Sequence, residues 1–365
     1  MARRTFTGVV RFGRLFALLP CMSTSVARRV ADAVPQPESL QSYLERCLPD
    51  NDPLAKVIGS FAMSGKIIEA RLRGLPSSDA GGYTDHRNVH GEVVHALDQQ
   101  ADEQIYAGLF HDKLVSAYAS EEREGLTVAT GPVRGSFLFL CDPLDGSSNL
   151  DCGLPVGSIF SVFRSAEAPR AGQPFASGRE QVAAGYLLYG VSTWLVFSVG
   201  QGVQVFVLDP RGRTFFQVHE GLRMPDEAPS LSYNAGHADA YPASVQAFVN
   251  HEKTRSPFSL RYIGALVADF HRVLCKGGLF LYPGTAAHPR GKLRLMYEAN
   301  PIAFLAEQAG GAASDNAVHL STTPLDGATE GTFALPRIVP VLLWGVREHS
   351  KGGDVIVHLF MDGFS

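Results

Sequence analysis

From Phe137 onward the chain breaks into short apolar runs divided by glycine and proline, and that texture constrains the fold more than anything else in the sequence. Residues 137–141, 157–164, 182–189, 194–199 and 203–208 read as strands. Residues 215–218 complete a meander after the turn at Asp209-Pro210-Arg211-Gly212, and residues 278–282 and 338–344 add two later strands, the second of them buried. Residues 40–48 and 54–72 carry apolar side chains at helical spacing: Leu54, Val57, Ile58, Phe61, Ile67, Ile68 and Leu72 in the second. Residues 93–109, 243–252 and 266–275 also read as helices, and residues 301–309 form one stopped by Gly310-Gly311. Residues 74–87, rich in Gly, Ser, Asp and Pro, read as an exposed loop, and 166–179 as the most linker-like internal stretch. Strands and helices mixed in this order predict an α/β layered architecture without an internal repeat.

A chain of 365 residues, 45% hydrophobic, is long enough to bury a large core, in two domains or in one built on two sheets. The net charge is −4 and no long basic run is present, which argues against nucleic acid as a partner. Any phosphate site must then be local, made from a few basic residues and oriented backbone amides. Five cysteines (Cys21, Cys47, Cys141, Cys152 and Cys275) lack CxxC or zinc spacing and read as reduced thiols in a reducing compartment. No apolar run reaches the roughly 18–20 residues a membrane span needs, and Arg11 and Arg14 interrupt the apolar stretch 9–19. From Met1 to Ala31 there is no Asp or Glu, while Arg3, Arg4, Arg11, Arg14, Arg28 and Arg29 are present. Such a leader is an organelle transit peptide, a disordered extension, or the product of a start upstream of a true one at Met22. In each case it lies outside the fold. The expected location is cytoplasmic, with a plastid or other organelle as the alternative if the leader is a transit peptide.

The most informative segment is Asp142-Pro143-Leu144-Asp145-Gly146-Ser147-Ser148-Asn149, directly after the apolar run Phe137-Leu138-Phe139-Leu140-Cys141. Two carboxylates three residues apart at the C-terminal edge of a strand can converge, because Pro143 forces the chain to turn. Hard divalent cations need such oxygen ligands, and Mg²⁺ takes a few carboxylates while leaving positions for phosphate and water. Gly146, Ser147 and Ser148 then offer backbone amides and hydroxyls to a phosphate oxygen. Asp-Pro and Asp-Gly are also ordinary turn dipeptides. The string as a whole favours the metal and phosphate reading over a plain turn.

These residues resemble the metal-dependent, lithium-sensitive phosphatases and, within them, the class I fructose-1,6-bisphosphatases. The resemblance runs from about residue 40 to about residue 348 and is weak before Asn88. Asn88-Val89-His90-Gly91-Glu92 with Leu97-Asp98 is similar to the family's segment preceding its first metal carboxylates, and Ser120-Glu121-Glu122 to its paired-glutamate motif. Arg261-Tyr262-Ile263-Gly264 with Val267-Ala268-Asp269 is similar to its substrate segment. Gly291-Lys292-Leu293-Arg294-Leu295-Met296-Tyr297-Glu298, with Asn300-Pro301-Ile302-Ala303, is similar to its phosphate and metal segment. The resemblance implies a layered α-β-α-β-α sandwich of the sugar-phosphatase type. It implies a leader over 1–35, an N-terminal domain over 36–220 with the metal motifs, a C-terminal domain over 221–349 with the substrate pocket, and a tail over 350–365. The activity implied is hydrolysis of the 1-phosphate of fructose 1,6-bisphosphate to fructose 6-phosphate and phosphate. Two or three Mg²⁺ ions per subunit would assist it, with Mn²⁺ as an alternative.

By that resemblance Glu121, Asp142, Asp145 and Glu298 hold the metal ions, with the Leu144 carbonyl as a further ligand and Glu92 in a supporting acidic position. Glu122 sits at a third metal position or orients the attacking water, and Asp98, paired with it, accepts the proton. Arg294 bridges to the scissile phosphate, since a guanidinium grips two of its oxygens. Strand alternation puts Lys292 and Arg294 on one side, as it would in a solvated strand. Asn234, Tyr262, Tyr282 and Lys292 match positions that hold the distal phosphate, while Tyr233 and Tyr297 pack and His271 is a structural helix residue. Arg261 reaches a neighbouring subunit's site, so the active form is a homodimer or homotetramer. So many carboxylates repel one another, which raises some pKa values and links metal binding to deprotonation.

Several positions depart from the family. His237 stands where a tyrosine is usual: it binds phosphate when partly protonated, or the pocket takes a different sugar. Sedoheptulose 1,7-bisphosphate is therefore the alternative or second substrate. A catalytically silent metabolite-binding homologue should have lost metal carboxylates, and they are all present. Pro49-Asp50-Asn51-Asp52-Pro53-Leu54 replaces the entry to the AMP site of animal members, and Ser136 and Phe137 replace a Lys-Tyr pair, leaving Arg164 as a match. Weak or absent AMP regulation is expected. Residues 166–179 hold no cysteine where chloroplast members carry a redox loop, so thioredoxin control through that loop is not expected.

Overall fold

The computed structural model describes residues 37–49, 52–74, 83–87, 93–132, 137–164, 178–225, 229–255, 258–288, 291–314, 338–339 and 341–345. The Arg-rich leader and most of the linker-like stretch lie outside these residues. The described residues from Glu38 onward form one compact unit.

The first elements are helices α1 (Leu40–Cys47) and α2 (Pro53–Gly74), strands β1 (Tyr83–Arg87) and β2 (Val93–His95), and helix α3 (Ala96–His111). Ser39 caps α1 by accepting from the Ser42 N–H at 3.2 Å. Pro53 opens α2, where an N–H would have no helical partner, and Asp52 Oδ1 accepts from Leu54 N at 2.9 Å. Next come β3 (Ala117–Ser120), β4 (Thr127–Val128), β5 (Phe137–Asp145), β6 (Val156–Arg164), β7 (Gln181–Tyr189), β8 (Thr193–Ser198), β9 (Val203–Leu208) and β10 (Phe215–Leu222). They form an eight-stranded sheet in the order β10-β9-β8-β7-β6-β5-β3-β4. Its pairings are antiparallel except β3 with β5, which is parallel.

The rest of the chain supplies β11 (Ser230–Ser232), α4 (Ala243–Arg255), β12 (Ser259–Leu260), α5 (Leu266–Lys276), β13 (Leu279–Tyr282), β14 (Leu293–Arg294), α6 (Asn300–Gln308), β15 (Gly311–Ser314), β16 (Ile338–Val339) and β17 (Val341–Gly345). A second, five-stranded sheet runs β12-β11-β13-β17-β15. Strand alternation assigns each face of the large sheet to a different core. Phe137, Phe139, Phe160 and Leu187 pack with Tyr43, Phe61 and Ile105 from α1, α2 and α3. Ile159, Tyr186 and Val196 pack with Val267, Phe270, Ile302 and Leu305 from α5 and α6. On β13, Phe280 joins that second cluster, while its neighbour Leu281 joins Leu231 and Val249 of the α4 side. The layers are therefore α-β-α-β-α, as the family resemblance implies.

Several elements differ from expectation. The helix expected from 93 begins at Ala96, because Val93–His95 pairs antiparallel with Tyr83–Arg87 inside the expected loop. The expected strand 338–344 is two strands, with β16 paired to β14 and β17 set between β13 and β15. Ile67 is 37% exposed although its spacing suited the core. The apolar stripe of α2 is continued by Ile68 instead, which is 3% exposed.

Candidate active site

The end of β5 is shaped by one irregularity. Between Asp142 and Asp145 the strand takes three steps while β6 takes two, from Ile159 to Gly157, and Pro143 sits in this bulge where its missing N–H breaks no ladder bond. Ser158 Oγ donates to the Pro143 carbonyl at 2.7 Å and so satisfies a group the bulge takes from the ladder. Gly146 follows with φ 77°, and a Cβ there would lie 2.4 Å from the Ala265 side chain, so glycine is required at this turn. Ser147–Cys152 then forms a short 3₁₀ turn. Asn149 ties it down by donating to the carbonyls of Pro155 at 3.2 Å and Ile263 at 3.4 Å.

Glu298 arrives from the other side on a π-turn, Leu295–Ala299, just before α6. The wide turn returns its carboxylate to the Arg294 N–H at 2.5 Å. Asp142, Asp145 and Glu298 each offer an oxygen, and these ligand atoms all lie within 4.8 Å of one another. Glu121, in the turn after β3, pairs with Arg294 Nη2 at 2.7 Å.

Burial and repulsion set the electrostatics. Burial pushes the Asp142 carboxyl well above its ordinary range, and the charges of Glu121, Asp145 and Glu298 push it further. Burial likewise raises Asp145, to about 6, although the Val267 and Leu266 N–H groups donate to its two oxygens at 2.8 and 3.2 Å. Arg294 offsets only part of this negative charge. Oxygen donors at this spacing, carrying charge they cannot share, fit a hard divalent cation.

These groups share a cavity of about 400 Å³. Its wall includes the predicted Asp98, Glu121, Glu122, Asp142, Leu144, Asp145 and Glu298, the Gly146-Ser147-Ser148 turn, and Tyr262, Tyr282, Lys292 and Arg294. Asn234, His237 and Arg261 are not among the lining residues. Asn234 caps the 3₁₀ turn Ala235–Ala240 through its side chain, and His237 is exposed on that turn. Arg261 is exposed and donates to the Leu260 carbonyl at 2.9 Å. Glu92 lies outside the described residues. Tyr233 and Tyr297 are buried in hydrophobic clusters, and His271, on α5, meets the Tyr186 hydroxyl at 2.9 Å.

Asp269 is a lining residue that sequence reasoning did not single out for a role. It is 1% exposed and accepts from Ser232 Oγ at 2.6 Å and from the Ile263 and Gly264 N–H groups at 3.0 Å. Those bonds fold the Tyr262–Gly264 segment over the end of α5. The signal was its position, one turn inside a helix and just past a glycine, which only a fold can interpret.

Comparison with known proteins agrees along most of the chain. Residues 43–220 match the family described as fructose-1-6-bisphosphatase, N-terminal domain, and residues 224–330 its C-terminal domain. A crystal structure of Leishmania major fructose-1,6-bisphosphatase in holo form is 32% identical with a TM-score of 0.79, covering 85% of this chain and 96% of that one. The apo form of the same enzyme gives 31% identity, TM-score 0.72 and the same coverage, and its T-state gives 31% and 0.74 over 85% and 95%. This chain belongs to the fructose-1,6-bisphosphatase family.

Proposed function

We propose that the chain hydrolyses the 1-phosphate of fructose 1,6-bisphosphate, releasing fructose 6-phosphate and phosphate, with Mg²⁺ in the acidic cluster. Family membership makes it a phosphoric monoester hydrolase. The observation that carries the reading is the convergence of Asp142, Asp145 and Glu298 within 4.8 Å in one cavity with basic and phenolic groups.

Glu121, Asp142, Asp145 and Glu298, with the Leu144 carbonyl, would hold the cations, and Glu92 would support them. Bound there, the cations supply positive charge to the phosphoryl oxygens and acidify a water. Asp98, paired with Glu122, would take the proton of the attacking water, and Glu122 would sit at a third metal position or orient that water. Gly146, Ser147 and Ser148 donate to the phosphoryl group, and Arg294 exchanges its contact with Glu121 for the phosphate. Phosphoryl transfer asks a protein mainly for this kind of positioning and charge stabilisation. Tyr262, Tyr282 and Lys292 hold the distal phosphate, and Arg261, exposed and not among the residues lining its own cavity, completes the site of a neighbouring copy in a dimer or tetramer. Nothing in the geometry favours sedoheptulose 1,7-bisphosphate, because His237, which raised that alternative, does not line the cavity. Among the described residues no helix is long and apolar enough to cross a membrane.

Phosphate release from fructose 1,6-bisphosphate, measured with and without Mg²⁺, tests the reading. Turnover that needs the cation and vanishes in Asp145→Ala is expected. Undiminished turnover in that variant would remove Asp145 from the centre.

A further inference from the structure

Asp102 takes no part in the chemistry above, yet it joins two acidic elements of the cavity. It is 3% exposed and lies one turn beyond Asp98 on α3, so the two carboxylates share a side of the helix. Tyr118 Oη on β3 donates to Asp102 Oδ1 at 2.8 Å. Arg123 Nε pairs with Asp102 Oδ2 at 2.5 Å. Ser120 Oγ accepts from the Glu122 N–H at 3.1 Å. Arg123 follows Glu122 directly; its guanidinium lies 4.1 Å from the Tyr106 ring centre and pairs with the exposed Glu103 at 2.7 Å. The Ser120–Glu122 bond lies within β3 and its turn; the contacts of Tyr118 and Arg123 run between α3, which carries Asp98, and β3 with its following turn, which carries Glu121 and Glu122.

We propose that Asp102 and Arg123 are positioning residues, forming a half-buried strut that sets Asp98 on α3 against Glu121 and Glu122 before a cation arrives. The strut rests on the reading of the cavity as a cation-dependent phosphatase site. It is needed because clustered carboxylates repel and would spread α3 from the β3 turn. Hydrophobic packing alone resists such a shift poorly, since packing is non-directional, whereas a close ion pair beside the directional Tyr118–Asp102 hydrogen bond holds register. An ion pair with one buried partner, here Asp102, is weak support for stability in itself, so this one calls for another purpose.

The test uses the full chain and two readouts: Mn²⁺ binding by calorimetry without substrate, and kcat with KM for fructose 1,6-bisphosphate. Asp102→Asn keeps the volume and the acceptor for Tyr118 but loses the charge. In it and in Arg123→Gln, Mn²⁺ affinity should fall about 10-fold or more, the scale of losing a supporting partner at a metal site. kcat should fall with it, while KM stays within about twofold because the sugar contacts sit on other elements. The double variant should be no worse than the worse single variant, since both remove one strut. Arg123→Lys should recover part of the affinity, and Glu103→Gln should change nothing. Unchanged Mn²⁺ affinity and kcat in Asp102→Asn, with only a lower Tm, would overturn the proposal, and so would losses that multiply in the double variant. If the wild-type chain bound no Mn²⁺, the phosphatase reading and the strut would fall together. Binding that is normal in wild type and in the variants would remove the strut alone.

Discussion

The two halves of β5 are equally buried and face opposite physical problems. Phe137–Cys141 gains from leaving water. Phe139 stacks nearly parallel between Tyr118 and Phe160, at 6.1 and 5.7 Å, and burying one such side chain stabilises the fold by roughly 1.5–3 kcal/mol. Asp142–Asp145 loses from the same burial, because its carboxylates are desolvated beside Glu121 and Glu298. The apolar half holds the acidic half in an arrangement that repels until a cation occupies it. Stability and function therefore sit on neighbouring residues and should respond to mutation in opposite ways.

The largest expected effect is at the acidic end. Asp145→Ala should lower Mg²⁺-dependent phosphate release by more than about 10³-fold, since a cation contributes several kcal/mol of charge stabilisation. A metal-free Asp145→Asn variant, which keeps an acceptor for the Val267 and Leu266 N–H groups, should melt no lower than wild type in calorimetry, because the buried charge is gone. A large drop in Tm would erase the contrast between the halves. Phe139→Ala should do the reverse, lowering stability by about 3–5 kcal/mol in denaturant unfolding. At temperatures where it stays folded, its Mn²⁺ affinity should change little.

The pH dependence separates the halves without a mutation. The Asp145 carboxyl titrates at about 6 in the fold against an ordinary value of 3.8. Protonation thus favours the folded chain. This contribution is fully present below the unfolded value and is lost as pH rises through about 6, with Asp142 shifted in the same direction. Metal-free protein should lose on the order of 3 kcal/mol between about pH 4 and pH 6 from this group, relative to the Asp145→Ala variant. Saturating Mg²⁺ should reverse the trend, and equal pH profiles in the two proteins would contradict it. The smallest effect is expected at the far end of the large sheet. Arg164 there pairs with Asp52 at 2.9 Å and lies 5.1 Å from the Phe137 ring centre, so its charge is already engaged. Millimolar AMP should leave the rate unchanged, and full, cooperative inhibition would show that the pair opens for an anion.

The contrast also explains what the sequence revealed. The apolar run and the acidic string of β5 are contiguous, so local pattern identified the strand and the carboxylates that follow its apolar run, but ended it at Cys141, whereas the bulge carries it on to Asp145. The long helices were legible for the same reason, through their spacing. Short strands were not: Ala117–Ser120 and Ser230–Ser232 have too few residues for a period to emerge, and their pairing with β5 and β13 is decided by the sheet. The exposure of Ile67 depends on what packs beside α2, which spacing cannot show. Asp269 and the Asp102–Arg123 pair are joined to the site only across elements, by contacts that exist once β3, α3 and α5 are in place. Aspartates inside amphipathic helices look like solvated residues in a sequence.

Anomalous diffraction from a crystal of the chain soaked in Mn²⁺ is the most direct test of the cation centre at the end of β5. A peak among the carboxylate oxygens of Asp142, Asp145 and Glu298 is the predicted result. A well-ordered cavity with no peak there at saturating Mn²⁺, or peaks only on the outer surface, would contradict it.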